Sequence, residues 1–263
     1  MIFFFTSIKS AGGGIQEALQ IELTKAKLFY TKRISVYWGH MSQVDCEMLL
    51  IKECLSHGDY QYVHLLSGVD LPIKTQSEIH AFFDAHPNSQ FLQVGVADQQ
   101  LYRLSRFHFT VNWSESRFKT LVENINDIVA YKFKINRLNK YKNITIIKTA
   151  NWFSITGGCA KYLYSQRKFI KKLTRYTSCA DEMFLGTVLY ASKYWSEVYN
   201  PKPSRDGHMR YIDWIRHVGA SPHTFTMEDK ESLDTSQMLF ARKFSEDTDK
   251  EIIDYIFEKY KGK

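Results

Sequence analysis

The sequence predicts an α/β protein built on a mostly parallel, doubly wound sheet with helices on its faces. The first observation is the order of segments. Short apolar segments alternate with helix-length amphipathic ones to about residue 87, which is typical of strand–helix–strand units. The second is length, because 263 residues are enough to bury a full core. The third is continuity, since no repeat, linker or low-complexity tract divides the chain. We therefore predict one domain over residues 1–263.

The first half of the chain supplies the alternating elements. Apolar residues at helical spacing, or a short apolar run that closes on a glycine, identify each one. Thr75 and Glu78 have the spacing of a capping box, so a helix should begin there. Ser42 is a suitable N-cap for the helix that ends at Gly58. The predicted elements are, in order, a strand at 2–5, a helix at 15–29, a strand at 33–39, a helix at 43–58, a strand at 60–66 and a helix at 75–87.

The second half is more mixed. Residues 90–96 and 143–149 are strand-like, and residues 117–133 have helical periodicity. Segment 151–166 indicates a strand, a turn and a helix. Further along we predict a helix at 181–192, a short strand at 194–199 and a final amphipathic helix at 250–260.

Composition points to an anionic partner. The net charge is +7, and aromatic residues make up 15% of the chain. A positive protein favours nucleic acid, anionic lipid or a phosphorylated substrate. The cations concentrate at 131–143 and 164–175, where each segment is either an anion-binding surface or the solvated face of a helix or loop. No nucleic-acid-binding module is recognisable, so nucleic acid is not the expected partner.

Cysteine usage and the first residues indicate the compartment. The four cysteines form no Cys-x-x-Cys pair and have no ligand-like spacing with histidine. We therefore expect neither a disulfide framework nor a zinc site, and a reducing compartment. The apolar run at 2–5 is too short for a signal peptide or a membrane span. These observations predict a cytoplasmic protein, at most peripheral at the inner face of a membrane.

The first candidate site is the turn after the strand at 60–66. Ser67, Gly68 and Asp70 follow the apolar run, and Pro72 restricts the exit. In open parallel sheets, ligands bind beyond the carboxyl ends of the strands. Gly68 would let a ligand approach the backbone closely. In the alternative interpretation, Asp70 only caps backbone amides of the turn.

The second candidate is an acidic pair, Asp181 and Glu182, at the start of a predicted helix. Carboxylates in a first turn complement the helix dipole, so capping explains one of them. Two adjacent acids are redundant for capping. One can therefore face a cleft and act as a general base.

The third candidate is the basic pair Arg242 and Lys243, which follows two apolar residues. Such cations suit a diphosphate, although a solvated basic pair is an equal alternative. Trp214 either stacks on a sugar ring or belongs to the core.

Metal and phosphate-loop motifs are not expected in this chain. The Asp-x-Asp at 247–249 directly precedes the last predicted helix, so it indicates an N-cap. The glycines at 12–14 are not followed by the lysine of a phosphate loop. We expect no divalent metal and no bound cofactor.

Taken together, these segments resemble the Core-2/I-branching family of β-glycosyltransferases, which includes branching N-acetylglucosaminyltransferases and peptide O-xylosyltransferases. The matches follow the family's order from about residue 34 to residue 244. The matching segments are "VYWGHMSQVDCEMLL", "YQYVHLLSGVDLPIKTQSEI", "NWFSIT", "DEMFLGTVL", "YIDW" and "LFARKF".

The resemblance implies a GT-A-like, Rossmann-type fold that works without a metal. The nucleotide-binding part would lie at about 1–95 and the acceptor and catalytic part at about 96–263. It also implies inverting transfer from a UDP-sugar, most simply UDP-N-acetylglucosamine, to a hydroxyl of a glycan or lipid-linked saccharide. A non-catalytic relative that binds UDP or glycan without turnover is the alternative.

The same resemblance assigns roles to residues. Glu182 matches the catalytic base, and Lys243 matches a residue that holds the diphosphate, with Arg242 as its helper. The loop with Ser67, Gly68 and Asp70 falls at the donor end of the cleft. For the acceptor, the residues implied are Trp214, Arg103, Arg106 and Asp181.

The chain departs from the family pattern at its start. Family members begin with an extra strand and helix that end in a His-x-Asp-x-Lys-like segment. Lys9 matches that lysine as a donor-binding residue, whereas Ser7 stands where the aspartate belongs. We therefore expect the first β–α unit to be missing or shortened. Eukaryotic members carry a membrane anchor and disulfide cysteines that have no match here, so we expect a bacterial member.

Overall fold

The computed structural model describes residues 2–5 (backbone only), 27–97 and 100–260. Within them, α-helices and small sheets alternate, which confirms the predicted α/β class. The strands are β1 (Ile2–Phe5), β2 (Lys27–Tyr30), β3 (Tyr62–His64), β4 (Asp70–Pro72), β5 (Phe91–Gly95), β6 (Lys148–Thr156), β7 (Arg210–Ile212) and β8 (Phe240–Arg242).

The helices account for more of the chain than the strands. Four short 3-10 helices accompany the α-helices of the described residues: Arg137–Tyr141, Ala180–Glu182, Lys193–Glu197 and Met227–Asp229. The α-helices are α1 (Ser42–Ser56), α2 (Gln76–Asp84), α3 (Tyr102–Ser105), α4 (Arg117–Lys132), α5 (Gly157–Ser165), α6 (Arg167–Thr174), α7 (Phe184–Tyr190), α8 (Lys230–Thr235) and α9 (Lys250–Tyr260).

The strands form three small sheets rather than one large parallel sheet. β1 and β2 pair in parallel. The second sheet has the order β3–β6–β5, and the third has the order β4–β8–β7. In the third sheet, β8 is antiparallel to β4 and parallel to β7. The alternation of segments thus identified the fold class but not the strand pairing, because pairing depends on partners far away in the sequence.

The chain groups into two compact units, each made of several segments. Unit 1 comprises 1–63, 95–151 and 157–196, and unit 2 comprises 64–94, 152–156 and 197–263. Neither unit is continuous in sequence. The single domain and its division near residue 95 stay predictions.

Unit 1 contains a core in which a buried arginine replaces some of the apolar packing. Leu104, Leu173 and Met183 are almost fully buried. Beside them Arg137 donates hydrogen bonds to the carbonyls of Leu104 (3.2 Å) and Leu173 (3.3 Å). Burial lowers the pKa of this guanidinium. The arginine therefore connects carbonyls of α3 and α6 through one buried side chain.

Unit 2 has a core of aromatic and aliphatic side chains packed around the third sheet. The residues of this cluster are Ile73, Phe225, Leu233, Ala241, Phe244, Ile252 and Ile256. Phe225 stacks on Tyr211 with ring centroids 5.3 Å apart. Both β8 and α9 contribute to the cluster, so this core fixes the segment that contains Arg242 and Lys243.

Four helices lie where the sequence predicts them, although the N-cap predicted at Ser42 is wrong. Ser42 is the first residue of α1, and the N-cap is Met41, which makes no side-chain capping hydrogen bond. α1, α2, α4 and α9 confirm the helices predicted at 43–58, 75–87, 117–133 and 250–260. The capping box at Thr75 is present, and Ser116 caps α4 through its side chain. Asp249 accepts a hydrogen bond from the Ile252 N–H at 3.2 Å, which confirms the N-cap interpretation of the Asp-x-Asp motif.

The strand predicted at 33–39 is wrong. No regular structure covers residues 31–37, and a turn follows. The Tyr37 N–H donates to the Ser42 side-chain oxygen at 2.9 Å, and the Gly39 N–H donates to Gln43 Oε1 at 2.5 Å. These two amides bond to side chains at the start of α1 instead of to a neighbouring strand, because polar side chains nearby in the sequence compete for backbone donors.

Three other segments differ from their predictions. Residues Lys27–Tyr30, assigned in part to the end of the helix at 15–29, form β2, and the rest of that helix lies outside the described residues. The strand predicted at 143–149 begins only at Lys148 and runs through the separately predicted strand to Thr156. The strand predicted at 194–199 is mostly a 3-10 helix, with one isolated bridge between Gln90 and Val198.

In the part of the chain that the structure describes, no helix combines the length and apolar character needed to span a membrane.

Candidate active site

In unit 1, a tight turn positions the acidic pair. Asp181 and Glu182 lie in the 3-10 helix Ala180–Glu182, not in the first turn of an α-helix as predicted, and α7 begins after them. Cys179 has a left-handed backbone with φ of 48°. Its N–H donates to the Gly39 carbonyl at 2.7 Å. Gly39 itself has φ of +69°, a conformation that favours glycine.

Two cations hold the Glu182 carboxylate. Arg103 Nη1 lies 2.7 Å from Glu182 Oε2, and Lys148 Nζ lies 3.4 Å from the same oxygen. The Glu182 side chain remains 33% exposed. The carboxylate is therefore oriented by protein and still reachable by a substrate hydroxyl, which is the arrangement a general base requires.

Asp181 has a different environment from Glu182. It is buried, and Gln43 Nε2 donates to its Oδ2 at 3.4 Å. Its Oδ1 has no hydrogen-bond partner among the described residues. Burial, and then the charge of Glu182, raise the pKa of Asp181 to about 6. Glu47 is also buried, and burial followed by the charge of Asp181 raises its pKa well above the ordinary value. Of the two adjacent acids, only Glu182 faces solvent substantially.

In unit 2, the predicted donor-site residues Ser67, Asp70 and Arg242 come together. Asp70 and Arg242 are register partners on the antiparallel strands β4 and β8. Arg242 Nη1 lies 2.9 Å from Asp70 Oδ1, and it also donates to the Ser67 hydroxyl. The Ser67 N–H and hydroxyl each donate to Asp70 at 2.8 Å. The Asp70 side chain is only 1% exposed, so its oxygens are engaged by protein.

Arg242 also stacks on an aromatic ring. Its guanidinium carbon lies 4.2 Å from the centroid of Trp152. Lys243, the next residue, is half-buried, and no ion pair of the described residues involves its ammonium group. The Lys243 carbonyl accepts a hydrogen bond from the Phe225 N–H at 2.9 Å. The backbone at Lys243 is thus anchored while its cation has no protein partner in the described residues.

Gly68 lies at an open surface. It is exposed, and an added Cβ would meet no atom within 4 Å. No protein group therefore requires a glycine here, and its use as a point of close ligand approach stays a prediction.

The buried residue Arg210 contacts the chain just before the predicted donor loop at Ser67–Asp70. It donates to the carbonyls of Phe153 (2.6 Å) and Leu65 (3.1 Å) and to the Ser154 hydroxyl (3.1 Å). Burial lowers the pKa of Arg210 to about 9, while the Asp70 charge opposes this shift. The residue joins the interior of β6 to the residue that follows β3, next to the turn with Ser67.

Trp214 lies in a loop fixed by ion pairs. The tryptophan is 37% exposed. Arg216 pairs with Asp213 at 2.6 Å and with Asp229 at 2.6 Å. His223 Nε2 lies 2.9 Å from Asp229. Trp214 is therefore available to a ligand from a loop whose position is set by charged neighbours.

The remaining predicted residues have separate positions. Arg106 pairs with Asp127 at 2.9 Å on an exposed surface of unit 1. Unlike Arg103, it forms no hydrogen bond or ion pair with Glu182 among the described residues. Lys9 lies outside the described residues. Glu182 belongs to unit 1, whereas Lys243 and Trp214 belong to unit 2.

One cavity of unit 1 is separate from the acidic pair. Its volume is about 430 Å³, and it is lined by residues of α1 and α6. The lining includes Lys52, Lys168 and Lys171 but not Glu182. Elsewhere, no three His, Cys, Asp or Glu side chains of the described residues converge as metal ligands would.

Sequence reasoning missed three residues of these clusters. Lys148 contacts Glu182, Trp152 supports Arg242, and Arg210 underlies the donor loop. Trp152 lies within the segment "NWFSIT", and Arg210 directly precedes "YIDW". This position in or next to a family-like segment was the only signal in the sequence that could have identified them. Lys148 is one cation among 35 and had no distinguishing context.

Comparison with known proteins covers five of the six segments singled out above, and the sixth, at 239–244, lies beyond the match except for its first residue. A family model described as Core-2/I-Branching enzyme matches residues 16–239. The chain is also similar to Xylosyltransferase oxt of Drosophila melanogaster, with 24% identity over 233 residues, covering 81% of this chain and 25% of that protein. It therefore spans about a quarter of that relative's length. Because the family model covers well over half of the residues, the chain belongs to the Core-2/I-Branching enzyme family.

Proposed function

We propose that this protein is a glycosyltransferase that moves a sugar from a UDP-sugar to a hydroxyl group of a glycan acceptor. The observation that carries the proposal is the Glu182 carboxylate, held by Arg103 and Lys148 yet one-third exposed, within a segment matched by the family model. A base of this kind suits hydroxyl activation. We further propose a GT-A-like fold for the chain.

The proposed reaction inverts the anomeric carbon. Glu182 accepts the proton of the acceptor hydroxyl while the hydroxyl oxygen bonds to that carbon. The bond from the carbon to the diphosphate oxygen breaks, and UDP leaves with its electron pair. Because attack comes opposite to the leaving group, the configuration is inverted.

Cationic side chains would stabilise the leaving group without a metal. Lys243 has no ion-pair partner in the described part of the chain, so it can neutralise diphosphate charge. Arg242 is already bound to Asp70 and Ser67. We propose that it assists chiefly by orienting the loop with Ser67 and Gly68. Lys9 remains a proposed donor-binding residue.

The acceptor side is proposed to involve Trp214, Arg103 and Arg106. Trp214 offers an exposed ring face to a sugar. Asp181 is buried, so it would act through Glu182 rather than by touching the acceptor. We propose a lipid-linked or surface saccharide as acceptor, and a cytoplasmic protein at the inner face of the membrane.

The donor is proposed to be UDP-N-acetylglucosamine. The relative matched above is named a xylosyltransferase, so UDP-xylose is the second donor to test. UDP release from each donor, in the presence of EDTA, measures turnover directly.

Glu182→Gln should lower the rate of UDP release at least about a hundredfold, because it removes the base and keeps the side-chain shape. Glu231→Gln, at an exposed glutamate of α8, is the matched control and should leave the rate unchanged. Wild-type activity lost in EDTA would contradict metal-independent transfer, and full activity of Glu182→Gln would contradict the assigned base. If the wild type binds UDP saturably but releases no UDP from either UDP-sugar, the protein is instead a non-catalytic relative.

A further inference from the structure

An apolar stripe of α4 is exposed along the whole helix. The exposed fractions are 64% for Phe118, 54% for Leu121, 51% for Ile125 and 65% for Ile128. Ala130 is the only buried residue of the helix. With about 100° between successive residues, the four apolar side chains lie within one side of the helix. An amphipathic helix in a water-soluble unit normally turns this side toward the core.

The opposite side of α4 is polar and holds the helix to unit 1. The Thr110 hydroxyl donates to Glu123 at 2.6 Å, and Asn126 Nδ2 donates to the Phe107 carbonyl at 2.7 Å. Asp127 pairs with Arg106 on the same side. Rotating the helix to bury its apolar stripe would break these contacts. The outward orientation of the stripe is therefore built into the packing of α4.

Exposed aromatic rings lie at both ends of the helix. Trp113 is 42% exposed and stacks on Phe118 with ring centroids 6.0 Å apart. At the other end, Tyr131 is 87% exposed and Phe133 67% exposed. Rings of this kind are enriched where a protein contacts the boundary between lipid headgroups and acyl chains.

Exposed lysines lie at the end of α4 and in the segment that follows it. The segment 131–143 contains exposed Lys132, Lys134, Lys140 and Lys142 and no acidic residue. The second basic segment, 164–175, is its neighbour, because the ring centroids of Tyr141 and Phe169 lie 6.2 Å apart. The two basic segments of the sequence therefore form one cationic region in unit 1.

The buried side chain of Arg137, in the first basic segment, bonds to the second basic segment. Its guanidinium donates to the Leu173 carbonyl at the end of α6, at 3.3 Å. The arginine is itself buried, whereas the lysines around it face solvent. Their charges are thus available to an external partner.

We propose that the apolar stripe of α4 and the adjoining lysines dock the protein on the surface of an anionic lipid bilayer. A helix with an apolar face and nearby cations binds in the plane of the interface, where the face enters the acyl boundary and the cations meet lipid phosphates. A contact between two copies with their α4 helices parallel would instead bring the lysine-rich segments toward one another without anions between them. Charge complementarity therefore favours lipid over a second copy.

The test is sedimentation of the full chain with vesicles in the absence of donor, so its result does not depend on glycosyl transfer. We expect binding to phosphatidylcholine vesicles that contain about 30 mol % phosphatidylglycerol. Ile125→Gln/Ile128→Gln should weaken the partition coefficient at least about tenfold. Thr120→Gln/Asn124→Gln, at exposed polar positions of the same helix, is the matched control and should bind as the wild type does.

Charge is tested separately. Lys140→Gln/Lys142→Gln should weaken binding to the anionic vesicles about tenfold and leave binding to pure phosphatidylcholine unchanged. Circular dichroism verifies that each variant is folded. The proposal is overturned if the wild type does not bind anionic vesicles, or if the isoleucine variant binds as tightly as the control. A dimer in sedimentation velocity that Ile125→Gln/Ile128→Gln abolishes would also overturn it, since a second copy would then cover the stripe.

Discussion

Asp70 is almost fully enclosed by groups that donate to it. Ser67 provides an N–H and a hydroxyl, and Arg242 provides a guanidinium from the neighbouring strand. The sequence offered two interpretations, a residue of the donor pocket and a cap of turn amides. The structure shows the hydrogen bond from the Ser67 N–H that the second interpretation predicts. It also shows an ion pair with Arg242 that neither interpretation included. Asp70 is thus a positioning residue for Arg242 and the turn.

Breaking this pair should destabilise the fold strongly. Asp70→Ala leaves Arg242 mostly buried without its carboxylate, and we expect a loss of about 3 kcal/mol in the free energy of unfolding. Arg242→Met should cost a similar amount, and the double variant clearly less than the sum of the two. Urea denaturation monitored by circular dichroism measures all three values.

An exposed ion pair provides the control for that cycle. Lys250 and Asp254 lie 2.6 Å apart on α9, with side chains about 60% exposed. Asp254→Ala should cost less than about 1 kcal/mol, since solvent screens such pairs. Additive effects of Asp70→Ala and Arg242→Met would contradict the assigned coupling.

At the scale of elements, α2 shows how a local signal specifies a helix start. The Thr75 N–H and hydroxyl donate to Glu78 at 2.8 and 2.6 Å, and the Glu78 N–H donates back to the Thr75 hydroxyl at 3.2 Å. The Thr75 hydroxyl, and then its N–H, lower the pKa of Glu78. All partners lie within four residues, so the sequence alone was sufficient to predict the box.

Removing the cap should have a modest, measurable cost. Thr75→Ala is expected to lower the free energy of unfolding by about 1 kcal/mol, because the Glu78 N–H loses its acceptor. Thr75→Ser keeps the hydroxyl, so its free energy of unfolding should fall by no more than a few tenths of a kcal/mol. Equal stability of wild type and Thr75→Ala in urea denaturation would show that the box contributes nothing to folding.

α4 and the segment 33–39 show the limits of local signals. Periodicity identified α4 correctly, but it gave no indication that the apolar side of the helix faces outward. In segment 33–39, alternating apolar residues suggested a strand, yet its amides bond to the start of α1. In both cases contacts with other elements outweighed the pattern within the segment.

Across the whole molecule, the surroundings of Asp181 and those of His208 should respond to pH in opposite directions. In unit 2, burial and then the charge of Arg210 lower the pKa of both His64 and His208 to about 3. Their unfolded pKa is near 6.5, so the unfolded state binds more protons between about pH 3 and 6.5, and unit 2 loses stability as pH falls. In unit 1, the raised pKa of Asp181 has the reverse effect, because the folded state keeps the proton up to about pH 6.

Hydrogen exchange followed by mass spectrometry can resolve the two responses. From about pH 7.5 to about pH 5, peptides around His208 should lose protection equivalent to about 1–2 kcal/mol, and peptides around Asp181 should gain about 1 kcal/mol. His208→Gln should reduce the loss in unit 2, whereas His217→Gln, at an exposed histidine, should not. Protection that changes in the same direction around Asp181 and around His208 would contradict the assignment.

The sequence by itself determined the α/β class, the helices with complete caps and, through six ordered segments, the family. It also identified Glu182, Arg242 and Asp70 as residues to examine. These features depend on residue types and on neighbours within a turn or two, so they can be read without a fold.

Only the tertiary structure decided which groups surround those residues. Asp70 and Arg242 are 172 positions apart, and Arg103 and Glu182 are 79 apart. The strand order, the side of α4 that faces outward and the opposite pH responses also arise from such distant contacts. These features depend on which distant side chains are buried and paired together. The local sequence pattern does not specify those partners.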